Sequence, residues 1–277
     1  MKKQTVLKVG LPALIGIIVL AVVSINFEAS FNENASFIAS ENSSITKNPK
    51  AVIIDQLHND IPNENYQKML TEYLETAGYE VDLYTTDAIT VNFYKRLPAM
   101  NYEFIVIRSH ALGPGIIEDS ATLFTGEKYS EDKHLQEQLS GLVGIGIPFR
   151  PSHVEQMGGS EFFSDQKYFV LGSQLIDEKM FGNFPGSTII LGGCDTQEES
   201  LLANSLLSRG ATEIIGWNGL ITARDNDTII LDLVEEVLIN GVAMDEAVQL
   251  VMKNHEDNIR TPATLEYFSS GATELMG

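Results

Sequence analysis

After Lys50 the chain alternates between short apolar runs rich in β-branched residues and longer amphipathic stretches. This alternation is typical of a parallel sheet with helices packed on it. The apolar runs predict strands at residues 51–57, 80–84, 103–109, 188–192 and 213–217. The amphipathic stretches predict helices at residues 65–77, 90–99, 174–181, 198–208, 226–239 and 244–254. We therefore expect an α/β domain over residues 51–277, a three-layer sandwich with a mostly parallel central sheet.

Residues 111–167 break this alternation. They are polar and rich in glycine, with a predicted hairpin at residues 123–129 and a glycine-interrupted apolar run at residues 142–148. A long insertion in a compact domain is usually functional. We expect either a loosely packed lid over the ends of the strands or a surface excursion with its own small hairpin.

The amino terminus has the pattern of a membrane anchor. Three lysines among the first eight residues precede an uncharged apolar run at residues 9–27, and two glutamates follow within the next six residues. The length of the run suits one transmembrane helix, and the charge asymmetry places the rest of the chain outside the cytoplasm. Residues 1–27 are therefore predicted to be a single-pass cell-membrane anchor, with a cleaved signal peptide as the alternative. Residues 28–50, rich in Asn, Ser and Glu, predict a flexible extracytoplasmic tether.

The charge composition bears on partners. The 277-residue chain carries 38 acidic and 18 basic side chains, a formal net charge of −20. Phosphate binding requires clustered Lys and Arg, so a nucleic-acid partner is not expected. An acidic surface suits solubility in salty surroundings, basic peptides, or divalent cations such as structural calcium. The single cysteine excludes an internal disulfide and leaves one thiol to explain.

Two residues whose side chains could take part in catalysis follow apolar strands. The run Phe104-Ile-Val-Ile-Arg-Ser leads into His110, and Thr188-Ile-Ile-Leu-Gly-Gly leads into Cys194. Open parallel sheets place their sites at the carboxyl ends of strands. If the two strands are adjacent and parallel, imidazole and thiol project from the same edge, and the imidazole can activate the thiol as a nucleophile. The alternatives are a small buried cysteine and a structural histidine.

The surroundings of Cys194 add the parts of an oxyanion site. The predicted helix at residue 198 would bring unpaired backbone N–H groups near the thiol. Gly192 and Gly193 would let a substrate carbonyl group approach the backbone closely. The amide of Cys194 is then one donor to an oxyanion.

The order of strand, histidine, strand and Gly-Cys resembles the motif pair of the caspase, gingipain and separase superfamily of cysteine peptidases, which includes CHAT domains. The segment Ile190-Leu-Gly-Gly-Cys-Asp-Thr, running through Gly210-Ala to Trp217, is similar to the cysteine block of CHAT and gingipain-type domains. The resemblance implies a caspase-haemoglobinase-like fold with Cys194 as nucleophile and His110 as base. It also implies an oxyanion site at the amides of Cys194 and Ala111. Ala111 stands where the superfamily usually has glycine, and a positive φ there would be strained.

In these families specificity depends on residues near the strand ends and on the loop after the last core strand. At these places lie Trp217 and Asn218, together with the acidic Asp225, Asp227 and Asp55, which would suit a basic substrate side chain. The alternative for Asp225 and Asp227 is capping of the following helix.

The remaining histidines, His58, His134, His153 and His255, lack the spacing of a zinc site, so no metal and no cofactor are expected. The sequence thus predicts a membrane-anchored extracytoplasmic cysteine peptidase-like hydrolase. The alternatives are an inactive caspase-like or CHAT-like module that binds proteins, and a sheet protein with an inert cysteine.

Overall fold

A computed structural model describes residues 48–113, 121–148, 166–197 and 200–273. The predicted anchor at residues 9–27 and nearly all of the predicted tether lie outside these residues. Within the described ranges, no helix is long and apolar enough to cross a membrane.

The strands in chain order are β1 (Lys50–Asp55), β2 (Glu80–Thr85), β3 (Phe104–Arg108), β4 (Ala111–Leu112), β5 (Thr122–Lys128), β6 (Val143–Gly146), β7 (Tyr168–Leu171), β8 (Thr188–Gly192), β9 (Glu213–Asn218) and β10 (Thr264–Ser269). Within the described chain, six of them form the main sheet in the order β10-β9-β8-β3-β1-β2. All neighbours in this sheet are parallel except β10, which pairs antiparallel with β9. The chain is therefore an α/β protein with a mostly parallel central sheet, as predicted.

The helices in chain order are α1 (Glu64–Thr76), α2 (Val91–Arg96), α3 (Leu135–Leu139), α4 (Ser173–Lys179), α5 (Leu201–Ser208), α6 (Ala223–Leu238), α7 (Met244–His255) and α8 (Ser270–Thr273). Alternate residues of each central strand face opposite sides, and both sides are buried. Ile53 of β1 packs in one cluster with α1, α6 and α7, whereas Ile54 packs in another with α2, α4 and α5. Burial on both faces explains why these strands are continuous apolar runs.

The five predicted strands are confirmed as β1, β2, β3, β8 and β9, with ends that differ by one or two residues. The predicted helix at 90–99 gives way to a 3-10 turn at Leu97–Met100, because Pro98 lacks an N–H group. The helix predicted from residue 226 begins at Ala223, because the Thr222 hydroxyl accepts a hydrogen bond from the Asp225 N–H and caps it. Strand β10 was not predicted: it is an edge strand in which Leu265 alone is fully buried, so its apolar signal is weak.

The described part of the insertion at residues 111–167 forms strands, whereas residues 114–120 and 149–165 lie outside the described chain. A lid over the strand ends stays a prediction. The described part of the insertion, with β7, forms a second sheet in the order β4-β5-β7-β6, antiparallel throughout. Residues 123–129, predicted as a hairpin, belong largely to the single strand β5. Leu123 and Phe169 pack in the same apolar cluster as the main sheet. A β carbon at Gly126 would lie 1.7 Å from the Thr86 carbonyl oxygen, so close backbone approach accounts for this glycine.

One buried cation ties the centre of the main sheet to the elements around it. Arg108, at the end of β3, has no exposed surface. Its Nη1 donates to Asp55 Oδ1 at 2.8 Å, and its Nε and Nη2 donate to the two carboxylate oxygens of Asp227 at 2.7 and 2.9 Å. Nη2 also donates to the carbonyl oxygen of Ile61 at 2.8 Å. Arg108 thereby joins β1, α6 and the loop before α1.

Two buried carboxylates share this one guanidinium, so neutral donors complete their hydrogen bonding. Gln67 Nε2 donates to Asp55 Oδ2 at 2.6 Å, and Asn63 Nδ2 donates to Asp227 Oδ2 at 2.8 Å. A buried ion pair costs desolvation energy and persists only when its remaining polar atoms are hydrogen-bonded. The polar side chains at the start of α1 meet that requirement.

We expect Arg108→Met to lower the free energy of unfolding by about 3–5 kcal/mol, because two buried carboxylates lose their cation. Urea unfolding followed by the fluorescence of Trp217, the only tryptophan and fully buried, measures the change. Arg96→Met, at an exposed arginine, is the matched control and should change stability by less than about 0.5 kcal/mol. Equal effects of the two substitutions would contradict the role given to the ion pairs.

Candidate active site

The expected adjacency of the histidine and cysteine strands is confirmed. Strands β3 and β8 are parallel neighbours, with Arg108 opposite Gly192. His110 and Cys194 each follow two residues later, at the carboxyl edge of the sheet. Both line one small cleft with a volume of about 60 Å³.

His110 is held by groups from the turn after β1 and from β5. Its backbone N–H donates to the side-chain oxygen of the buried Gln56 at 2.9 Å. Its ring meets the Phe124 ring of β5 edge-on, with 5.6 Å between centroids. The Nε2 atom lies 4.0 Å from Asp60 Oδ2, in the loop after β1.

Burial and the nearby charge of Arg108 lower the pKa of His110 to about 4. The imidazole is therefore neutral near pH 7 and has the protonation state of a general base. Burial also raises the pKa of Asp60.

Cys194 is partly buried, and its thiol donates to the carbonyl oxygen of Ile221 at 3.4 Å. Burial raises the pKa of the thiol to about 11, although hydrogen bonding with the Ile221 backbone offsets part of the effect. In the resting protein, sulfur and imidazole are both uncharged near pH 7.

The first two residues of the helix predicted from residue 198 lie outside the described chain. Helix α5 begins at Leu201, seven positions after the cysteine. Directly after Cys194 the chain pairs with the end of β9, where the N–H groups of Asp195 and Gln197 donate to the carbonyl oxygens of Gly219 and Trp217 at 3.1 and 3.0 Å. The field of a helix N-terminus falls off within one turn, so α5 does not lower the pKa of the thiol.

The glycine pair before Cys194 is required by close packing between the two strand ends. A β carbon at Gly193 would lie 2.6 Å from the Ser109 carbonyl oxygen and 2.9 Å from the Ala111 β carbon. Real β carbons essentially never approach other atoms this closely. The backbone after β8 therefore touches the backbone after β3, and packing within the protein accounts for Gly193. Close approach of a substrate carbonyl group to the glycine pair stays a prediction.

Ala111 adopts an extended conformation in β4, so the strain considered for a positive φ does not arise. The Phe124 N–H donates to the His110 carbonyl oxygen at 3.1 Å, which makes His110 and Phe124 the hydrogen-bonded pair of the ladder. Hydrogen-bonded and non-hydrogen-bonded pairs alternate in antiparallel ladders. The next pair, Ala111 and Leu123, is then of the non-hydrogen-bonded kind, and the Ala111 N–H points away from β5.

The predicted specificity residues lie away from the cleft lining. Trp217 is fully buried, and its indole N–H donates to Asn226 Oδ1 at 2.9 Å. Asn218 is exposed and donates to Glu266 at 2.9 Å. Asp55 is fully buried against Arg108. Asp225 Oδ2 accepts the Arg260 N–H at 3.4 Å, on the far side of the first turn of α6.

These positions have a common physical cause. Trp217 and Asp55 belong to continuous core strands, where side chains turn inward and polar atoms need buried partners. Asp227 likewise faces inward to Arg108 and is not a helix cap. The basic-residue pocket suggested by these carboxylates is therefore not formed at the cleft by Asp55 or Asp227.

Three residues of the site were not found from the sequence: Gln56, Asp60 and Ile221. Gln56 and Asp60 lie in the turn after β1, and Ile221 precedes α6. They come near His110 and Cys194 only through the parallel order of β1, β3, β8 and β9. The one available signal was their position: Gln56 lies near the end of the strand predicted at 51–57, and Asp60 and Ile221 lie within four residues after predicted strands.

Among the described residues, no group of three or more His, Cys, Asp or Glu side chains is placed to hold a metal ion. Neither a protein-family model nor a curated protein matches the chain.

The lowered pKa of His110 predicts a pH dependence of stability. Between pH 6.5, near the pKa of histidine in an unfolded chain, and pH 4, the unfolded chain binds this proton and the folded chain does not. The free energy of unfolding should therefore fall on acidification, by up to roughly 3 kcal/mol from this group. In urea unfolding at several pH values, His110→Gln should show a shallower fall than the wild type over this range. Parallel curves would show that His110 does not carry the effect.

The raised pKa of Cys194 predicts slow alkylation at neutral pH. The thiolate is the reacting species, so the iodoacetamide rate should increase about tenfold per pH unit between pH 7 and 9. Intact-mass measurements give the rate, with Cys194→Ala as the unlabelled control. A fast rate that is constant from pH 6 to 8 would instead indicate a thiolate already paired with a protonated histidine.

Proposed function

We propose that the chain is a cysteine peptidase-like hydrolase of the caspase-like type, with Cys194 as nucleophile and His110 as general base. The observation that carries this proposal is that the only thiol and a neutral imidazole line one cleft at the carboxyl edge of a parallel sheet. This edge is where open α/β sheets hold their sites. The strand order and the motif resemblance support the caspase-haemoglobinase-like assignment.

The proposed reaction begins with a peptide carbonyl in the cleft. His110 accepts the thiol proton while Cys194 Sγ forms a bond to the carbonyl carbon, and the carbonyl π electrons move to oxygen. The amide N–H groups of Cys194 and Ala111 stabilise this oxyanion. The C–N bond then breaks as His110 returns the proton to the leaving amine. Water hydrolyses the acyl-thioester and restores the thiol.

Two observations favour an inactive, protein-binding module as the second candidate. The pKa of Cys194 is raised to about 11 and that of His110 is lowered to about 4, so the resting pair holds its proton firmly on sulfur. A binding module with the same fold would need neither group ionised. The two candidates differ in whether a bound substrate is cleaved.

The cellular setting of the proposal follows from the sequence. The apolar run at residues 9–27, with lysines before it, supports a single-pass anchor in the cell membrane and an extracytoplasmic domain. The partners would then be the lipid bilayer and peptide or protein substrates outside the cytoplasm.

A peptide-library cleavage assay with the full-length protein tests the activity. We expect Cys194→Ala to abolish cleavage and His110→Ala to reduce kcat at least 100-fold, the usual contribution of a general base. His255→Ala is the matched control, since this histidine pairs with Asp232 on α6 and does not line the cleft. Cleavage that survives in Cys194→Ala would end the proposal, and its absence in the wild type would favour the binding module.

A further inference from the structure

The walls of the cleft beside Cys194 are apolar. Four side chains contribute to its lining: Leu57, Ile61, Ile221 and Ala223. They come from the turn after β1, the loop before α1 and the start of α6. A substrate bonded to Cys194 Sγ would place the side chain next to its carbonyl group among these walls.

The polar side chains of the lining are already engaged within the protein. Asn226 accepts the Trp217 indole N–H at 2.9 Å and donates to Asp227 at 3.2 Å. The Ser109 hydroxyl donates to the His110 carbonyl oxygen at 2.5 Å. Among the described residues, no acidic or basic side chain apart from His110 lines the cleft. A charged substrate side chain would enter without a partner, at a large desolvation cost.

The cleft is also small, and it opens to solvent beside the partly exposed Ile61 and Ala223. Its volume of about 60 Å³ is less than half of the roughly 150 Å³ that holds a benzene ring in an engineered cavity. Leu57 and Ile221 are each 4% exposed and belong to packed regions of the protein. A β carbon at Gly192 would lie 3.0 Å from both Asn226 Oδ1 and the Ile107 carbonyl oxygen, so the floor has no spare room.

From this lining we infer that the site takes a small apolar side chain, of the size of Ala or Val, immediately before the attacked carbonyl. The inference rests on the proposed function and adds the class of substrate. A small apolar side chain takes the place of the basic substrate side chain that the sequence suggested. Asp55 and Asp227 pair with Arg108 and do not line the cleft. A charged side chain would lose its hydration on entering the cleft, and a large aromatic side chain would exceed the volume of the cleft.

Peptide chloromethyl ketones test this on the full-length protein at pH 8.5. In the reaction the Cys194 thiolate displaces chloride, a C–S bond forms and the C–Cl bond breaks. Reagents carrying Ala, Val, Phe, Arg or Asp beside the ketone are compared by intact mass, each rate divided by that of iodoacetamide. We expect the Ala and Val reagents to label at least tenfold faster than the others. Equal or faster labelling by the Arg or Phe reagent would overturn the inference.

Substitutions in the wall give the second measurement. Ile61→Ala should widen the cleft and raise the ratio of the Phe-reagent rate to the Ala-reagent rate at least fivefold. The substitution keeps the backbone carbonyl group of residue 61 that accepts from Arg108, so the fold should be retained. Ile259→Ala, at a partly buried isoleucine that does not line the cleft, is the matched control and should leave the ratio unchanged. If Ile61→Ala does not fold, Ala223→Leu at the partly exposed start of α6 should instead slow the Val reagent relative to the Ala reagent. A ratio that neither substitution moves would show that these walls do not select the side chain.

The outcomes separate this inference from the proposed function. Selective labelling without any peptide cleavage would support the small apolar pocket and contradict the hydrolase proposal. Cleavage that depends on Cys194 but occurs after Arg or Asp in the substrate would support the hydrolase proposal and contradict the small apolar pocket.

Discussion

A single buried guanidinium organises the centre of this structure. Arg108 ends the central strand β3 and binds carboxylates from β1 and α6 and a carbonyl oxygen before α1. A buried charge without partners is far too costly to persist, so the elements that supply these partners must dock in one arrangement. The apolar clusters on both faces provide most of the favourable burial energy. The ion pairs add specificity, because they fix which strand end meets which helix.

Arg108 also influences the candidate site directly. It lies two residues before His110, and its charge, together with burial, lowers the pKa of the imidazole. Its partner Asp227 also accepts from Asn226, whose amide oxygen in turn accepts the Trp217 indole N–H. This chain of hydrogen bonds runs beneath the cleft from β3 to β9. The floor of the site is thus built from groups that cannot move without breaking buried polar contacts.

Much of the fold could be predicted because the central strands are buried on both faces and therefore form unbroken apolar runs. The same strands led directly to His110 and Cys194. What could not be predicted depends on contacts between distant segments. Asp55 was a plausible substrate ligand until the parallel pairing of β1 and β3 placed it opposite Arg108. The second sheet was missed because its glycines, such as Gly126, serve close backbone packing and weaken the strand pattern. Burial does not explain every outcome, because edge strand β10 buries only Leu265 and was missed, whereas β2 at the opposite edge buries no residue and was predicted.

The pKa values of the side chains in the cleft determine when a proton could leave the thiol in any reaction there. A thiol with a pKa of about 11 beside an imidazole with a pKa of about 4 keeps its proton, so no ion pair exists in the resting protein. Proton transfer would have to accompany bond formation to the substrate, when the negative charge moves from sulfur to the oxyanion. The protonated imidazole would then need a counter-charge, and the carboxylate of Asp60, 4.0 Å from Nε2, is the nearest acidic group on the described chain. Burial raises the pKa of Asp60, and a neighbouring imidazolium would favour its ionised form. Activation of the thiol would therefore have to occur in a complex with a bound carbonyl group and not in the resting protein.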